Sequence, residues 1–430
     1  VQLPDAKGQV YNKKAMTRKI LHLDLDAFFC AVEELHNSSL VNRAFAVGGR
    51  PEERGVVASC SYAARRHGVH SAMPMSQAVR ACPGLVIVPA RHRLYRQMSE
   101  RVMERLHRLT PLVEQISIDE AFLDVSAHQE TPENLARHLQ AQIRTELRLP
   151  ASLGVATNKL VAKIANNIGK GAMRGDAPPC AITVVEPGSE AAFLAPLPCS
   201  ELWGVGPKTA QRLVDFGIHT IGDLAHRSPE EFERLLGKTG RDLVIRARGI
   251  DERPVVTEHE QKSISQETTF TRDSNDEAAL LRVLNDLAEG VAGDLKRSGL
   301  CATTVKLKLR WADFTTPTRQ ATIAQASDDA VVIYTVARRL FNDLWQPGQR
   351  VRLIGVGVSG LTDPPRQMGL FDAPDERTER LVAAVSAMRA RFGERALVRG
   401  SDVRRQTKNN GHTGGGVDVN TAASSNEKGT

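Results

Sequence analysis

Cysteine is sparse in this chain, and aromatics are few for its size. Only six cysteines occur among 430 residues (Cys30, Cys60, Cys82, Cys180, Cys199 and Cys301), and no two form a C-x-x-C pair. That spacing excludes a zinc ribbon and a disulfide framework, and it points to a reducing compartment, expected to be the cytoplasm. Aromatic residues make up 4% against 41% apolar in all, so the cores must be largely aliphatic. No apolar run reaches the roughly 18 residues of a membrane span, and no signal peptide opens the sequence. No membrane partner is therefore expected. Lysine is missing altogether between Arg43 and Arg108, where twelve arginines face only Glu52, Glu53, Glu100 and Glu104. Guanidinium forks at that density suit phosphate contact, although a solvated arginine surface fits the composition too. The formal net charge of +7 agrees with an anionic partner without requiring one.

The length suggests about three domains. Residues 1–15 are polar and patternless and read as a leader, with Met16 as a candidate natural start. From about Arg404 the chain is rich in Asn, Gly, Ser and Thr and is expected to be disordered. In between, Ile20 to Asp26 alternates as a strand should, with Leu21, Leu23 and Leu25 on one face and His22, Asp24 and Asp26 on the other. A helix is expected over Ala27–Leu35. Leu94, Met98, Val102, Leu106 and Leu109 mark one face of a second helix, stopped by Pro111. Val113–Ile118 and Ala121–Val125 flank Asp119-Glu120 as a hairpin, and helices at about 133–147 and 158–169 complete an α/β pattern of ferredoxin-like type. Past Pro196 the helices shorten. Thr220 to Asp223 and Ser228 to Glu231 both have the spacing of a capping box.

Three acids stand out: Asp24 at the end of a strand, and Asp119 with Glu120 at the hairpin. Carboxylates set in apolar strand patterns are costly unless solvated or metal-bound, and Mg2+ takes one or two carboxylates together with substrate phosphates. By spacing alone a metal pair and a polar hairpin turn both remain open at 119–120, and Asp26 competes with Asp24.

Four words occur in order: H-L-D-L-D-A-F-F (His22–Phe29), S-C-S-Y-A-A-R (Ser59–Arg65), S-I-D-E-A-F-L-D (Ser117–Asp124) and N-K-L-V-A-K-I-A (Asn158–Ala165). Together they resemble the motif blocks of the Y-family translesion DNA polymerases, in the bacterial DNA polymerase IV branch, and the likeness runs from about Lys19 to Phe371. The resemblance implies a multidomain α/β right hand with a ferredoxin-like palm, small fingers, a helix-hairpin-helix thumb and an α+β little-finger domain. It implies a monomer that adds dNTPs to a primer 3′-hydroxyl on template DNA by two-metal phosphoryl transfer, without proofreading. Asp24, Asp119 and Glu120, with the backbone carbonyl of Leu25, would hold two Mg2+ ions, for which Mn2+ could substitute. Phe29 falls at the family's steric gate, which excludes a 2′-hydroxyl. Ser59, Tyr62, Arg65 and Lys163 would meet the triphosphate. The sequence departs from the family at Asn166-Asn167, where Ser-Asp is usual, and again at Gly169-Lys170-Gly171, where a Lys-Pro-x-Gly turn is usual.

On that resemblance the palm spans 16–27 and 91–180, the fingers 28–90, the thumb 181–253, a linker 254–261 and the little finger 262–361. L-W-G-V-G-P-K-T-A (Leu202–Ala210) reads as a helix-hairpin-helix in which Gly204, Gly206 and Lys208 would approach a DNA phosphate. In the little finger, charge is nearly balanced, so DNA contact would come from one face, such as the alternating strand with Lys306, Lys308 and Arg310. Q-M-G-L-F resembles a sliding-clamp peptide, with Gln367 making the polar contact and Leu370 and Phe371 the anchors. It falls in a segment expected over 362–403, whose residues 376–399 form an amphipathic stretch of unassigned purpose. Two further readings stand beside the polymerase. A nucleotide cyclase shares the S-x-D-E-x-F hairpin, and a non-catalytic DNA-binding scaffold would be expected to have lost one of the acids.

Overall fold

The computed structural model describes residues 17–364, apart from Arg174, Asp176 and His259, together with Ala384 and Met388. The leader, the clamp-like residues Gln367, Leu370 and Phe371, the remainder of 376–399 and the tail lie outside the described residues. The chain divides into two compact units, one up to Glu260 and one from Gln261.

In the first unit, β1 (Ile20–Leu25) runs into α1 (Phe28–His36). A small sheet region follows, with β2 (Phe45–Gly48), β3 (Val57–Cys60), α2 (Tyr62–Arg65), α3 (Met75–Ala81) and β4 (Val86–Val88). Then come α4 (His92–Leu109), β5 (Val113–Gln115), β6 (Glu120–Asp124), α5 (Pro132–Gln142), β7 (Ala151–Ala156), α6 (Lys159–Ala172) and β8 (Ile182–Val184). The main sheet has the order β5-β6-β1-β7-β8, with β1 antiparallel to both neighbours, and the smaller sheet has the order β3-β2-β4.

The alternation read in β1 is what builds the two layers. Leu21, Leu23 and Leu25 enter one core with Tyr95, Val102 and Leu106 of α4 and Leu135 and Leu139 of α5. On the opposite face Ile20 joins Phe122 and the α6 stripe Leu160, Val161 and Ile164. β7 is buried along its whole length because layers cover both its faces. Helix α6 can lie this close only because position 154 has no side chain: a Cβ on Gly154 would stand 1.9 Å from the Ala162 carbonyl oxygen. The turn from β1 to α1 passes through Ala27 at φ 45°, left-handed backbone that a non-glycine residue rarely adopts.

Five short helices complete this unit: α7 (Glu190–Leu194), α8 (Pro207–Asp215), α9 (Ile221–Ala225), α10 (Pro229–Leu236) and α11 (Lys238–Ala247). The expected box at Thr220–Asp223 is complete, with reciprocal bonds. The one expected at Ser228–Glu231 is only half made: Ser228 Oγ accepts the Glu231 N–H but donates to Glu230 Oε2 at 2.8 Å. The missing half is the return bond, from the Ser228 backbone N–H to the Glu231 carboxylate.

The second unit comprises β9 (Ser263–Ser274), α12 (Glu277–Ser298), β10 (Cys301–Trp311), β11 (Thr318–Ser327), α13 (Ala330–Leu344) and β12 (Val351–Thr362). Its antiparallel sheet, ordered β11-β10-β12-β9, packs one face on both helices through Val305, Leu307, Leu309 and Phe341. Period two turns Lys306, Lys308 and Arg310 to the other face.

Candidate active site

Three carboxylates meet where β1 and β6 lie side by side. Asp24 is directly opposite Glu120 in the ladder, and the Leu25 N–H donates to the Asp119 carbonyl at 3.0 Å. Leu25 buries its side chain in the core and has only backbone to offer here. The hairpin is tied by Ser117, whose hydroxyl donates to Asp119 Oδ1 at 2.6 Å and accepts the N–H groups of Asp119 and Glu120. Like charges facing one another at a desolvated strand pair repel. Burial first, and Glu120 beside it, push the Asp24 carboxyl up to about 6 in spite of the opposing lysine Lys170. Burial likewise raises Asp119, with Asp24 adding to the shift.

Two lysines of α6 answer this negative charge. Lys163 Nζ lies 2.8 Å from Glu120 Oε2. Lys170 Nζ lies 2.6 Å from Asp24 Oδ1 and 3.1 Å from Asp26 Oδ1. Burial alone would lower the Lys170 pKa, but Asp24 and Asp26 outweigh it and the ammonium is held charged. The seven-residue spacing puts both lysines on one face of α6. The short peptide Gly169-Lys170-Gly171 belongs to the helix, where Gly169 fits against Thr183: a Cβ there would meet the Thr183 hydroxyl at 2.0 Å. Lys170 went unassigned in the sequence because the local word departs from the family turn; helical periodicity from Lys163 was the available signal. As they stand, no three metal-ligating side chains among the described residues converge on one point. The acids are instead met by ammonium groups, cations seated where a divalent ion would compete for the same oxygens.

Asp24 and Asp26 differ in burial. Asp26 is fully buried, accepting from the Ser152 hydroxyl at 3.0 and 2.9 Å and from the Cys180 N–H at 3.0 Å. Its oxygens are engaged in holding β1 to β7 and to the loop before β8. Beneath the acids, Asn166 sits fully buried, with Nδ2 3.0 Å from His22 Nδ1 and within reach of the carbonyls of His22 and Ser152. Burial, then Lys163 and Lys170, hold His22 well below the usual histidine range and so neutral. The departure from the family at this position thus introduces a buried amide, while Asn167 is exposed.

The two phenylalanines of the first motif part company. Phe28 is core, 2% exposed, whereas Phe29 is half-buried and stacks on Tyr95 with centroids 4.2 Å apart. The Tyr95 hydroxyl donates to Glu33 Oε1 at 2.5 Å, and Arg91 forks onto both oxygens of the same carboxylate. These contacts span 58 and 62 residues of sequence, so no local pattern signals them. Tyr62 opens α2, its ring beneath the Arg65 guanidinium at 4.7 Å. The Tyr62 hydroxyl is buried with no hydrogen-bond partner among the described residues. Burial, with Asp26 and Asp24 near enough to add to it, raises the phenol pKa. Ser59 lies on β3 and turns inward to the Cys30 thiol.

Away from the acids, Gly204 takes φ 100° and Gly206 caps α8, with Lys208 exposed in its first turn. On the open sheet face of the second unit, Lys306 is exposed. Lys308 reaches across Gly355 to Glu267 Oε2 at 2.7 Å, and Arg310 donates to Thr316 at 2.9 Å.

Comparison with known proteins gives consistent matches along the chain. The impB/mucB/samB family matches residues 23–167, its C-terminal domain 261–370, and the family's HHH motif 187–218. DNA polymerase IV of Dehalococcoides mccartyi is 39% identical over 381 residues, covering 87% of this chain and 95% of that protein. DNA polymerase IV of Streptomyces coelicolor is 43% identical over 366 residues, 84% of this chain and 74% of that one. Among solved structures, a Y-family DNA polymerase chimera built on Dbh aligns with TM-score 0.72 at 26% identity, covering 80% of this chain and 99% of the other. An insertion ternary complex of Dbh DNA polymerase aligns with TM-score 0.56 at 26% identity, with the same coverage.

Proposed function

The chain belongs to the impB/mucB/samB family and, with it, to the Y-family polymerases of the DNA polymerase IV kind, and from that membership we propose how its own residues carry the reaction. It is a DNA-directed DNA polymerase of translesion synthesis, with the right-hand fold of palm, fingers, helix-hairpin-helix thumb and little finger, and its chemistry depends on a divalent metal. The nucleotide cyclase and scaffold readings find no support, since the match continues through the helix-hairpin-helix and the C-terminal domain and all three acids are present.

Asp24, Asp119, Glu120 and the Leu25 carbonyl hold the metal. What carries this assignment is the ladder pair Asp24–Glu120, whose negative charge already draws two ammonium groups. The chemistry supplied by two bound Mg2+ ions, or Mn2+ in their place, is a lowered 3′-hydroxyl pKa and offset charge on the departing pyrophosphate. Ser117 fixes the hairpin so that Asp119 and Glu120 keep their aim. Asp26 positions the strand from below and takes no part in the ligation. With a divalent ion bound, the carboxylates would no longer need Lys163 and Lys170 as counter-charges, and Lys163, with Arg65, would be available to the triphosphate. The Tyr62 hydroxyl, buried without a partner among the described residues, offers its bonding capacity to the triphosphate. Ser59 acts only if it leaves Cys30. Phe29 walls off the sugar 2′ position. Gly204, Gly206 and Lys208 grip duplex phosphate, and Lys306, Lys308 and Arg310 line a second DNA-facing surface. Gln367, Leu370 and Phe371 dock a sliding clamp. The protein works as a monomer in the cytoplasm. Among the described residues no helix is long and apolar enough to cross a membrane.

Primer extension on undamaged and adducted templates, with and without divalent ion, tests the whole reading. Incorporation should require the ion and should persist past the adduct. A protein that extends no primed template with either ion would refute it.

A further inference from the structure

One aromatic side chain stands between the acids and the helix-hairpin-helix with no role in the mechanism above. Trp203 is half-buried, immediately before Gly204. Its ring lies 5.7 Å from that of Phe122, two residues along β6 from Glu120. Two cations lie over the same ring: Lys163 Nζ at 5.7 Å from its centroid and Arg253 Cζ at 4.8 Å. Arg253 is neutralised by a forked pair with Asp251, at 2.7 and 2.9 Å. Asp251 Oδ2 in turn accepts the Leu160 N–H at 3.1 Å, in the first turn of the helix that carries Lys163. The ring closes on itself: Glu120, Lys163, Trp203, Arg253, Asp251 and back to α6.

We propose that Trp203 is a positioning residue for Glu120, its indole face giving the Lys163 ammonium a second seat so that the carboxylate can be yielded to a divalent ion. The proposal rests on the metal-site reading. The Lys163 side chain is only 15% exposed, so water cannot fully replace Glu120 as its partner. With no other partner, the ammonium would compete with the ion for Glu120. A π face already within cation–π range keeps it solvated in the electrostatic sense while the carboxylate turns away. Because Trp203 also abuts the hairpin turn at Gly204, the element that grips duplex and the carboxylate that holds metal share one side chain.

The test is Mn2+ binding to the full-length chain without DNA, read by the EPR signal of free Mn2+, beside the Mg2+ dependence of extension. Trp203→Leu should weaken Mn2+ binding roughly three- to tenfold, as loss of a partly desolvated cation–π contact predicts. Trp203→Phe should stay near wild type. In a Lys163→Met background, Trp203→Leu should change nothing further. Equal weakening with and without Lys163 would reduce Trp203 to a packing block and overturn the proposal, as would no weakening at all. Should Trp203→Leu fold poorly, fluorinated tryptophans introduced at position 203 alter ring charge with little change of shape. Affinity should then fall with each added fluorine, and an unchanged affinity across the series overturns the proposal. Glu120→Gln separates the two layers. If Mn2+ binding survives it, the metal reading falls and takes this inference with it; if binding drops there but not in Trp203→Leu, only the role of Trp203 falls.

Discussion

The rings of Phe29 and Tyr95 lie almost parallel, 14° apart in plane with centroids separated by 4.2 Å. The gate role proposed for Phe29 requires a ring that resists being pushed, and Phe29 alone on a short helix has little to resist with. Tyr95 supplies the backing, itself pinned by Glu33, which Arg91 also grips. Phe29→Ala should therefore raise ribonucleotide use relative to dNTP by about tenfold or more, the scale of relieving one steric clash. Tyr95→Leu should raise it by less, since the gate stays but tilts. Competition between labelled rNTP and dNTP in single-nucleotide extension reads both. Unchanged selectivity in an active Phe29→Ala would return that ring to the core.

Which parts of this site the sequence disclosed follows from range. Period two placed Asp24 on the face opposite Leu21, Leu23 and Leu25, and the apolar runs around Asp119-Glu120 marked the hairpin; both are local signals. Phe28 and Phe29 are adjacent, so only packing could tell which of the two is core. Glu33 and Arg91 are separated by 58 residues, and Asp26 and Ser152 by 126. Pairings over such distances leave no periodic trace in one chain. The Ser228 box misled although it is local: spacing sets the Ser228 hydroxyl against the Glu231 N–H but does not turn the Glu231 carboxylate back to the Ser228 N–H. Lys170 was hidden by its flanking glycines, which look like a turn and are part of a helix.

Replacing Asp24, Asp119 or Glu120 by Ala should cut extension about a hundredfold or more, as removal of one preorganised charge-stabilising group does elsewhere. Primer-template affinity, followed by fluorescence anisotropy, should hardly change, since the surfaces proposed to grip duplex lie elsewhere. Asp26→Asn should behave differently. That side chain is fully buried and bonds Ser152 and the Cys180 N–H, so the variant should lose thermal stability first and activity in proportion. Near-normal extension by Asp119→Ala would remove the metal assignment.

Lys170→Met strips the cation from two carboxylates that are largely buried. The metal-free protein should lose about 1–3 kcal/mol, the usual worth of hydrogen bonds to charged groups. Added Mg2+ should restore more stability to this variant than to wild type, because the ion replaces a charge the variant lacks. Melting temperatures with and without Mg2+ give the comparison. A smaller gain in the variant than in wild type would show that Lys170 and the ion do not share Asp24.

Gly154→Ala tests the seat of α6 without touching any acid. The new methyl would stand 1.9 Å from the Ala162 carbonyl oxygen, a backbone atom that cannot swing aside. Helix and strand must part, at a cost of about 1–3 kcal/mol or more. Since α6 carries Lys163, Asn166 and Lys170, extension should fall along with the denaturation midpoint. A variant of wild-type stability would mean that α6 rides higher on β7 than described.

Clamp docking is a tether, raising local polymerase concentration at the primer end while leaving the chemistry alone. Leu370→Ala with Phe371→Ala should leave distributive extension on short, clamp-free primers unchanged. With a clamp loaded on circular template, the stimulation seen for wild type should disappear from the double variant. The apolar pair is a sharper target than Gln367, because buried anchors carry most of a short peptide's affinity whereas a rim amide contributes little. Both residues follow β12, which ends at Thr362, in the sequence. Equal response of wild type and variant to a cognate clamp would make the word a coincidence of five letters. Equal loss with and without clamp would instead tie the segment to the polymerase itself, and a shorter chain ending near Thr362 would then show the same deficit.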